Sequence, residues 1–307
     1  MDKINYRLHF LKYYAILILK TREEVIPLEV RHEDLIGTFE QKKAQVKQFN
    51  LMHDDFFAVV MQNKEPLEVV LRILLQKKDL VVKEVRVQYV MRNIISHSVI
   101  LDVFAEDSTG KLYNVEVQVE NRDDYQKRVR SYQANMDTAF LNKGKHYSEL
   151  PDLYLIFISS FDLFKHGKVF YEVQRVLKGF DQVVDNGVHE LYFNTTVNDG
   201  SEIAKLLHYF EDTDADVDDY GALSDAVKHY KNTEEGVSQV CDEVRKYGDS
   251  RAAEEAKRSA KTQIRMITCL MKKNNCTLET ALDLTGVSME EYSSWLMLLD
   301  EDDRKSA

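Results

Sequence analysis

Two alternating runs, Ser98 to Glu106 and Leu112 to Glu120, flank the turn Asp107-Ser108-Thr109-Gly110. Gly110 can take positive φ there, so the stretch predicts an antiparallel hairpin. With the turn centred on Thr109, Asp102 stands directly opposite Glu116. Side chains alternate along a strand, so Gln118 shares the face of Glu116. The other face carries Leu101, Val103, Val115, Val117 and Val119, a core face. A chain with this hairpin buries one side of it and gathers two carboxylates and an amide on the other.

Like charges directly opposite each other on a sheet are destabilising. Three arrangements relieve the conflict: a solvated polar face, pairing with Arg or Lys, or a cation between the acids. The cation has a specific chemistry. Mg²⁺ is commonly held by one or two carboxylates, with waters and substrate phosphate completing the octahedron. Such an ion polarises a phosphoryl oxygen and lowers the pKa of a bound water.

The helical segment after the hairpin adds Arg128 and Tyr132, one helical turn apart. Further on come Gly144 and Tyr147, then the apolar run Leu153 to Ser159. Upstream, Asp54-x-x-Phe57 leads into Leu67 to Leu75. This ordered set resembles the recombination-promoting nuclease (Rpn)/transposase family of the PD-(D/E)XK nuclease superfamily, over roughly residues 50 to 195. Three positions depart from the pattern. Leu101 stands where the superfamily has Pro, Gln118 stands where it has Lys (the Gln form is common in this family), and Ala58 follows Phe57 where relatives often carry Lys.

The resemblance implies an α/β fold: a PD-(D/E)XK restriction-endonuclease-like core, with a mixed central sheet flanked by helices, and a helical C-terminal tail. It implies a metal-dependent DNA endonuclease of low sequence preference, using Mg²⁺ with Mn²⁺ or Ca²⁺ as alternatives. Asp102 and Glu116 would ligate the metal, helped by the backbone carbonyl between Glu116 and Gln118. Gln118 would orient the attacking water, and Arg128 would contact the scissile phosphate or brace a carboxylate. Tyr132 would hydrogen-bond phosphate or a neighbouring acid, or serve as a core residue. Asp54 would supply a first-helix acid or, as its position favours, cap the helix at Phe56. Glu120 reads as a solvated strand end. DNA is the implied partner, and a homodimer stays open. The alternative from another class is a catalytically silent relative that binds nucleic acid or protein.

Composition bounds these readings. The chain has 307 residues, 44% hydrophobic, with a formal net charge of −11. That content supports a real core. The acidic balance disfavours a wholly electrostatic nucleic-acid binder and leaves the work to local patches. The three cysteines, Cys241, Cys269 and Cys276, lack paired metal-ligand spacing. They read as reduced thiols of a cytoplasmic protein. No run reaches the length of a membrane span, and Leu8 to Leu19 is broken by His9 and Lys12. Scattered histidines and glycines build no HExxH, Walker or GxSxG pattern.

The order of segments predicts the organisation. Residues 1–49 form a helix-leaning accessory segment, 50–200 the nuclease-like domain, 201–220 an acidic linker and 221–307 a helical region. Phe56 to Gln62 and Leu67 to Gln76 predict a helical pair or one bent helix, and Val81 to Val90 a first strand. Asp123 to Asn142 predicts a helix capped by Asn121 or Asp123 and closed by Gly144, with Tyr125, Val129, Tyr132, Met136 and Phe140 as its buried stripe. From Arg122 to Lys145, six basic residues oppose three Asp, a phosphate-facing surface. Leu153 to Ser159 reads as a strand covered on both faces, and His189 to Asn194 as a last short strand. Glu211 to Asp219, with six acids, reads as solvated linker. Arg251 to Lys273 carries seven basic residues against Glu254 and Glu255. The last two helices lie around Gly286 with Thr277 and Ser288 as caps. They resemble a helix-turn-helix faintly, but Leu282 is large for that motif and favours a plain packing hairpin.

Overall fold

The computed structural model describes residues 38–91, 99–121, 124–141, 144, 146–214 and 216–299. Residues 1–37 of the accessory segment, and Ser98, Asp123, Asn142 and Lys145, lie outside the described residues. The rest of that segment forms helix α1, Phe39–Val46.

Six strands form the central sheet: β1 (Val82–Met91), β2 (Val99–Asp107), β3 (Leu112–Gln118), β4 (Leu153–Ser159), β5 (Phe170–Val173) and β8 (Val188–Asn194). Their spatial order is β1-β2-β3-β4-β8-β5. β1, β2 and β3 pair antiparallel, β3-β4 and β4-β8 pair parallel, and β5 returns antiparallel to β8. The sheet is therefore mixed and flanked by helices, as expected. A small separate hairpin, β6 (Val176–Leu177) with β7 (Gln182–Val183), follows the edge strand.

A parallel pair needs a crossover. Helix α4, Tyr125–Phe140, supplies it between β3 and β4. Val129, Tyr132 and Met136 pack with Leu155 and Phe157 in one cluster, and Phe104 stacks on Phe140. The expected stripe is thus the buried face. Two end signals differ. Asp124 is the N-cap, and the helix ends at the C-cap Leu141, so Gly144 lies beyond the termination site. β4 is buried at every position, which fits its place between two parallel neighbours.

Helices α2 (Asp54–Met61) and α3 (Lys64–Leu74) precede the sheet. His53, not Asp54, occupies the N-cap of α2, and Asp54 is its first helical residue. The backbone enters the helical region one residue earlier than the Asp signal suggests. Helix α5, Glu202–Glu211, buries Ile203, Leu206, Leu207 and Phe210. The irregular acidic chain therefore begins only at Asp212, past a packed helix.

Four helices complete the chain: α6 (Ala222–Asn232), α7 (Glu234–Asn274), α8 (Leu278–Thr285) and α9 (Met289–Leu298). Helix α6 packs on α3, and the start of α7 packs on α1 and α2. The Tyr230 hydroxyl accepts hydrogen bonds from Gln62 and Asn63. Lys231 is fully buried and donates to the carbonyls of Thr213 and Lys47. At the far end, Ile267 packs on Ala281 and Leu282, with Gly286 in the left-handed region between α8 and α9. Leu282 is buried in that contact, consistent with a packing hairpin.

Gly236 decides how closely α7 can start against α6. A Cβ there would lie 2.2 Å from the His229 carbonyl oxygen and 2.7 Å from Tyr230 Cα. Gly236→Ala should gain roughly 1 kcal/mol of helix propensity. Overpacking against backbone costs about 1–3 kcal/mol or more, and the clash should win. We expect a lower melting temperature for Gly236→Ala. A higher one would show that the two helices can part without cost.

Candidate active site

The β2–β3 register is the one the turn predicts: Val103 faces Val115, Phe104 faces Asn114 and Ala105 faces Tyr113. Continued by one pair, it sets Asp102 against Glu116. There each carboxylate reaches the opposite strand. The Asp102 N–H donates to Glu116 Oε1 at 3.2 Å, and the Val117 N–H donates to Asp102 Oδ2 at 3.3 Å. The apolar face is buried at Leu101, Val103, Val115 and Val117. Val119 is 61% exposed, because β3 ends at Gln118 and the alternation no longer applies beyond it.

The carboxylate face is not a solvated one. Glu116 is only 1% exposed, and Phe104 and Asn114 beside it are buried. Asp102 and Gln118 are half-buried. Helix α4 closes over the site. Arg128 Nη1 donates to Gln118 Oε1 at 3.0 Å, and Nη2 donates to the Tyr132 hydroxyl at 2.9 Å. The Tyr132 hydroxyl donates to Glu116 Oε2 at 3.4 Å, and Arg128 Nη2 lies 3.7 Å from the same oxygen. The structure thus brings together Asp102, Glu116, Gln118, Arg128 and Tyr132. Glu120 is exposed outside β3, and its carbonyl accepts from the Tyr125 hydroxyl.

Burial pushes the Glu116 carboxyl up to about 7. The Asp102 N–H, Arg128, Asn114 and Tyr132 pull the other way without reversing it. Burial also raises the Tyr132 hydroxyl, with the Glu116 charge adding to the shift. The Asn114 amide lies near enough to favour the charged form of Glu116. Yet neither its nitrogen nor its oxygen makes a hydrogen bond of good geometry, although the residue is fully buried beside Glu116. Poorly paired buried amides are costly, and one beside a desolvated carboxylate marks a site short of polar partners. Two carboxylates and a poorly paired amide suit a hard, oxygen-seeking cation. Asn114 is the residue that the sequence reading passes over. The same alternation that joins Gln118 to Glu116 places it on that face two residues earlier.

A second acidic group sits at the start of α2. One ligand atom from each of His53, Asp54 and Asp55 lies within 4.8 Å of the others. Asp54 Oδ1 accepts from the Asp55 N–H at 3.0 Å. Asp55 is buried, whereas Asp54, the acid singled out in the sequence, is half-buried.

Residues 48–181 match the model of the PD-(D/E)XK nuclease family transposase. Over this span the chain is similar to that nuclease family. The matched span runs from just before α2 through the β2–β3 hairpin and β4 to the small hairpin, and so includes every residue of the site. No curated protein matches the chain, and no solved structure does. Among the described residues, no helix is long and apolar enough to cross a membrane.

The raised Glu116 pKa has a definite sign. A carboxyl with folded pKa above its unfolded value contributes stability that is fully present below about 4.5 and lost as pH rises through about 7. A shift of this size corresponds to up to about 3 kcal/mol. In EDTA, wild type should therefore lose stability across that window relative to Glu116→Gln, which keeps the shape without the charge. Parallel melting curves from pH 4 to 8 for the two proteins would contradict the desolvated carboxylate.

Proposed function

We propose that this chain is a metal-dependent endonuclease that hydrolyses DNA phosphodiester bonds with low sequence preference in the cytoplasm. The observation that supports it most is the pairing of Asp102 with Glu116 at the open end of the β2–β3 ladder, beneath Arg128 and Tyr132. In this reading Asp102 and Glu116 hold Mg²⁺ or Mn²⁺, with the backbone carbonyl of Val117 as a further oxygen. When bound, the ion would polarise the phosphoryl oxygen and lower the pKa of the attacking water.

The chain's own residues do the rest. Glu116, desolvated and with its pKa raised, needs a cation to ionise fully, so ion binding and ionisation are coupled. Gln118 cannot accept a proton near neutral pH, and its role is to position. Its oxygen is held by Arg128, which fixes the amide plane at the edge of the site. Arg128 offers a guanidinium to a phosphate oxygen and braces Glu116 from the helix side. Tyr132, with its pKa raised, stays protonated and donates. Hydrolysis forms one P–O bond from water, breaks the bond to the leaving sugar oxygen, and passes one proton from water to solvent and one to that leaving oxygen. Lys127 and Arg130, exposed on α4, give the surface beside the site a positive character that suits phosphate.

Plasmid nicking tests the reading. Wild type should nick with Mg²⁺ or Mn²⁺ and not in EDTA. Asp102→Ala and Glu116→Gln should lose about 100-fold or more, the scale expected when the catalytic ion is lost. Gln118→Ala should lose about 10- to 100-fold while metal still raises the melting temperature. Gln118→Lys should retain activity. Cleavage that persists in EDTA or in Asp102→Ala would overturn the assignment. Absence of cleavage with every metal would favour the silent binder.

A further inference from the structure

The second half of α7 carries a charge pattern that the catalytic reading does not use. From Ala256 to Leu278 there is no Asp or Glu, while Lys257, Arg258, Lys261, Arg265, Lys272 and Lys273 supply six cations. This occurs in a chain of net charge −11. At 3.6 residues per turn the six fall within about 160° of the helix circumference. Ala260, Ile264 and Ile267 are buried on a different arc, where Ile267 meets Ala281 and Leu282. The apolar face of this segment is therefore already used where Ile267 packs on α8, and most of the cationic arc faces outward. Arg258, Arg265, Lys272 and Lys273 are all exposed. Arg265, Thr268, Cys269, Lys272 and Lys273 line an open surface depression.

We propose that this arc of α7 is a second DNA-binding surface, which holds the phosphate backbone of the duplex away from the catalytic site. The proposal rests on the nuclease reading for the identity of the polyanion. Charge complementarity supplies the binding. Lys257 to Lys273 spans about 24 Å at 1.5 Å per residue. The major groove is only about 12 Å wide, so a rod of this length can reach phosphates on both of its borders. Contacts of this kind position a duplex without reading its sequence. A lipid surface fits less well. A helix lying on a membrane needs an apolar face sunk among the acyl chains, and here that face is spent on α8 and α9.

The test uses full-length protein in EDTA with Glu116→Gln as the background, so that cleavage plays no part. Duplex binding is followed by fluorescence anisotropy against salt. The triple variant Arg258→Gln, Lys272→Gln, Lys273→Gln should bind more weakly, with the slope of log affinity against log salt reduced by about 0.9 for each phosphate no longer neutralised. Lys272→Arg with Lys273→Arg should bind as the background does. Cys269 gives an independent readout, since it is an exposed thiol on the same arc. DNA should slow its alkylation by a maleimide, while Cys241, which is buried, serves as the internal reference. An unchanged salt slope in the triple variant, together with unchanged Cys269 alkylation, overturns the inference even if wild type nicks DNA. Binding through the arc without nicking under any metal leaves it standing and removes the nuclease reading. Preference for anionic phospholipid vesicles over DNA also overturns it.

Discussion

Asp107 closes the β2–β3 hairpin with a carboxylate that is spent entirely on the turn. Oδ1 accepts from the Thr109 N–H, the Thr109 hydroxyl and the Lys111 N–H at 2.7–3.0 Å, and Oδ2 accepts from the Tyr113 hydroxyl at 2.7 Å. Burial alone would raise its pKa, but these hydrogen bonds together hold it below the usual carboxylate value. The turn geometry sets the pairing, and in a sheet covered on both sides a slip of one residue exchanges every side chain between faces. Such a slip would place Glu116 on the face of Leu101 and Val103 and send two valines toward Arg128. The placement of the Asp102–Glu116 pair therefore depends on a turn at the far end of β2 from Asp102, through register alone.

Electrostatics at the site are a contest in which burial prevails. Arg128 is 3.7 Å from Glu116 Oε2, and the Tyr132 hydroxyl is 3.4 Å away. Strong charge-assisted hydrogen bonds are about 2.7–2.9 Å. The pairing is too loose to repay the desolvation of a carboxylate that is 1% exposed. A structural ion pair would show short, bidentate contact. Here Arg128 divides its donors among Gln118, Tyr132 and Glu116, and Asn114 is left without a hydrogen bond of good geometry. The site is under-compensated, which is the condition in which binding a cation is most favourable.

What can be read in the sequence is local. The turn residues and period-two alternation suffice for the β2–β3 register, and the four-residue step from Arg128 to Tyr132 suffices for their contact on α4. Burial of the carboxylate face is not legible, because α4 covers it only through the parallel crossover to β4. Edge strand β5 also escapes a reading of local pattern. Its four residues gain strand character by pairing with β8, which comes later in the chain. Helix ends differ from the capping signals by one to three residues at His53 and Asp124, where the chosen caps form no side-chain capping bond. Asn114 lies within reach of the alternation rule but carries no charge to draw attention. Its importance comes from the lack of a well-formed hydrogen bond, which only the folded chain reveals.

The 41-residue helix α7 links these observations across the fold. Helices this long are rarely stable by propensity alone and rely on packing along their length. Its first turns are anchored by buried Val237, Val240, Cys241 and Val244, close to α2, the helix that carries Asp55. Its last turns are anchored by Ile267 against α8 and α9, with Ile264 also buried. Between the two anchors, the exposed small residues Ala252, Ala253 and Ala256 add little burial. Two distant packing sites thus hold one continuous rod, and the buried side chains that anchor it at both are apolar. A run of like charges on one helix carries a repulsive cost. A partner of opposite charge removes that cost, as a cation would at Asp102 and Glu116. In both places the fold gathers charge of one sign, and a ligand of the opposite sign would relieve the repulsion.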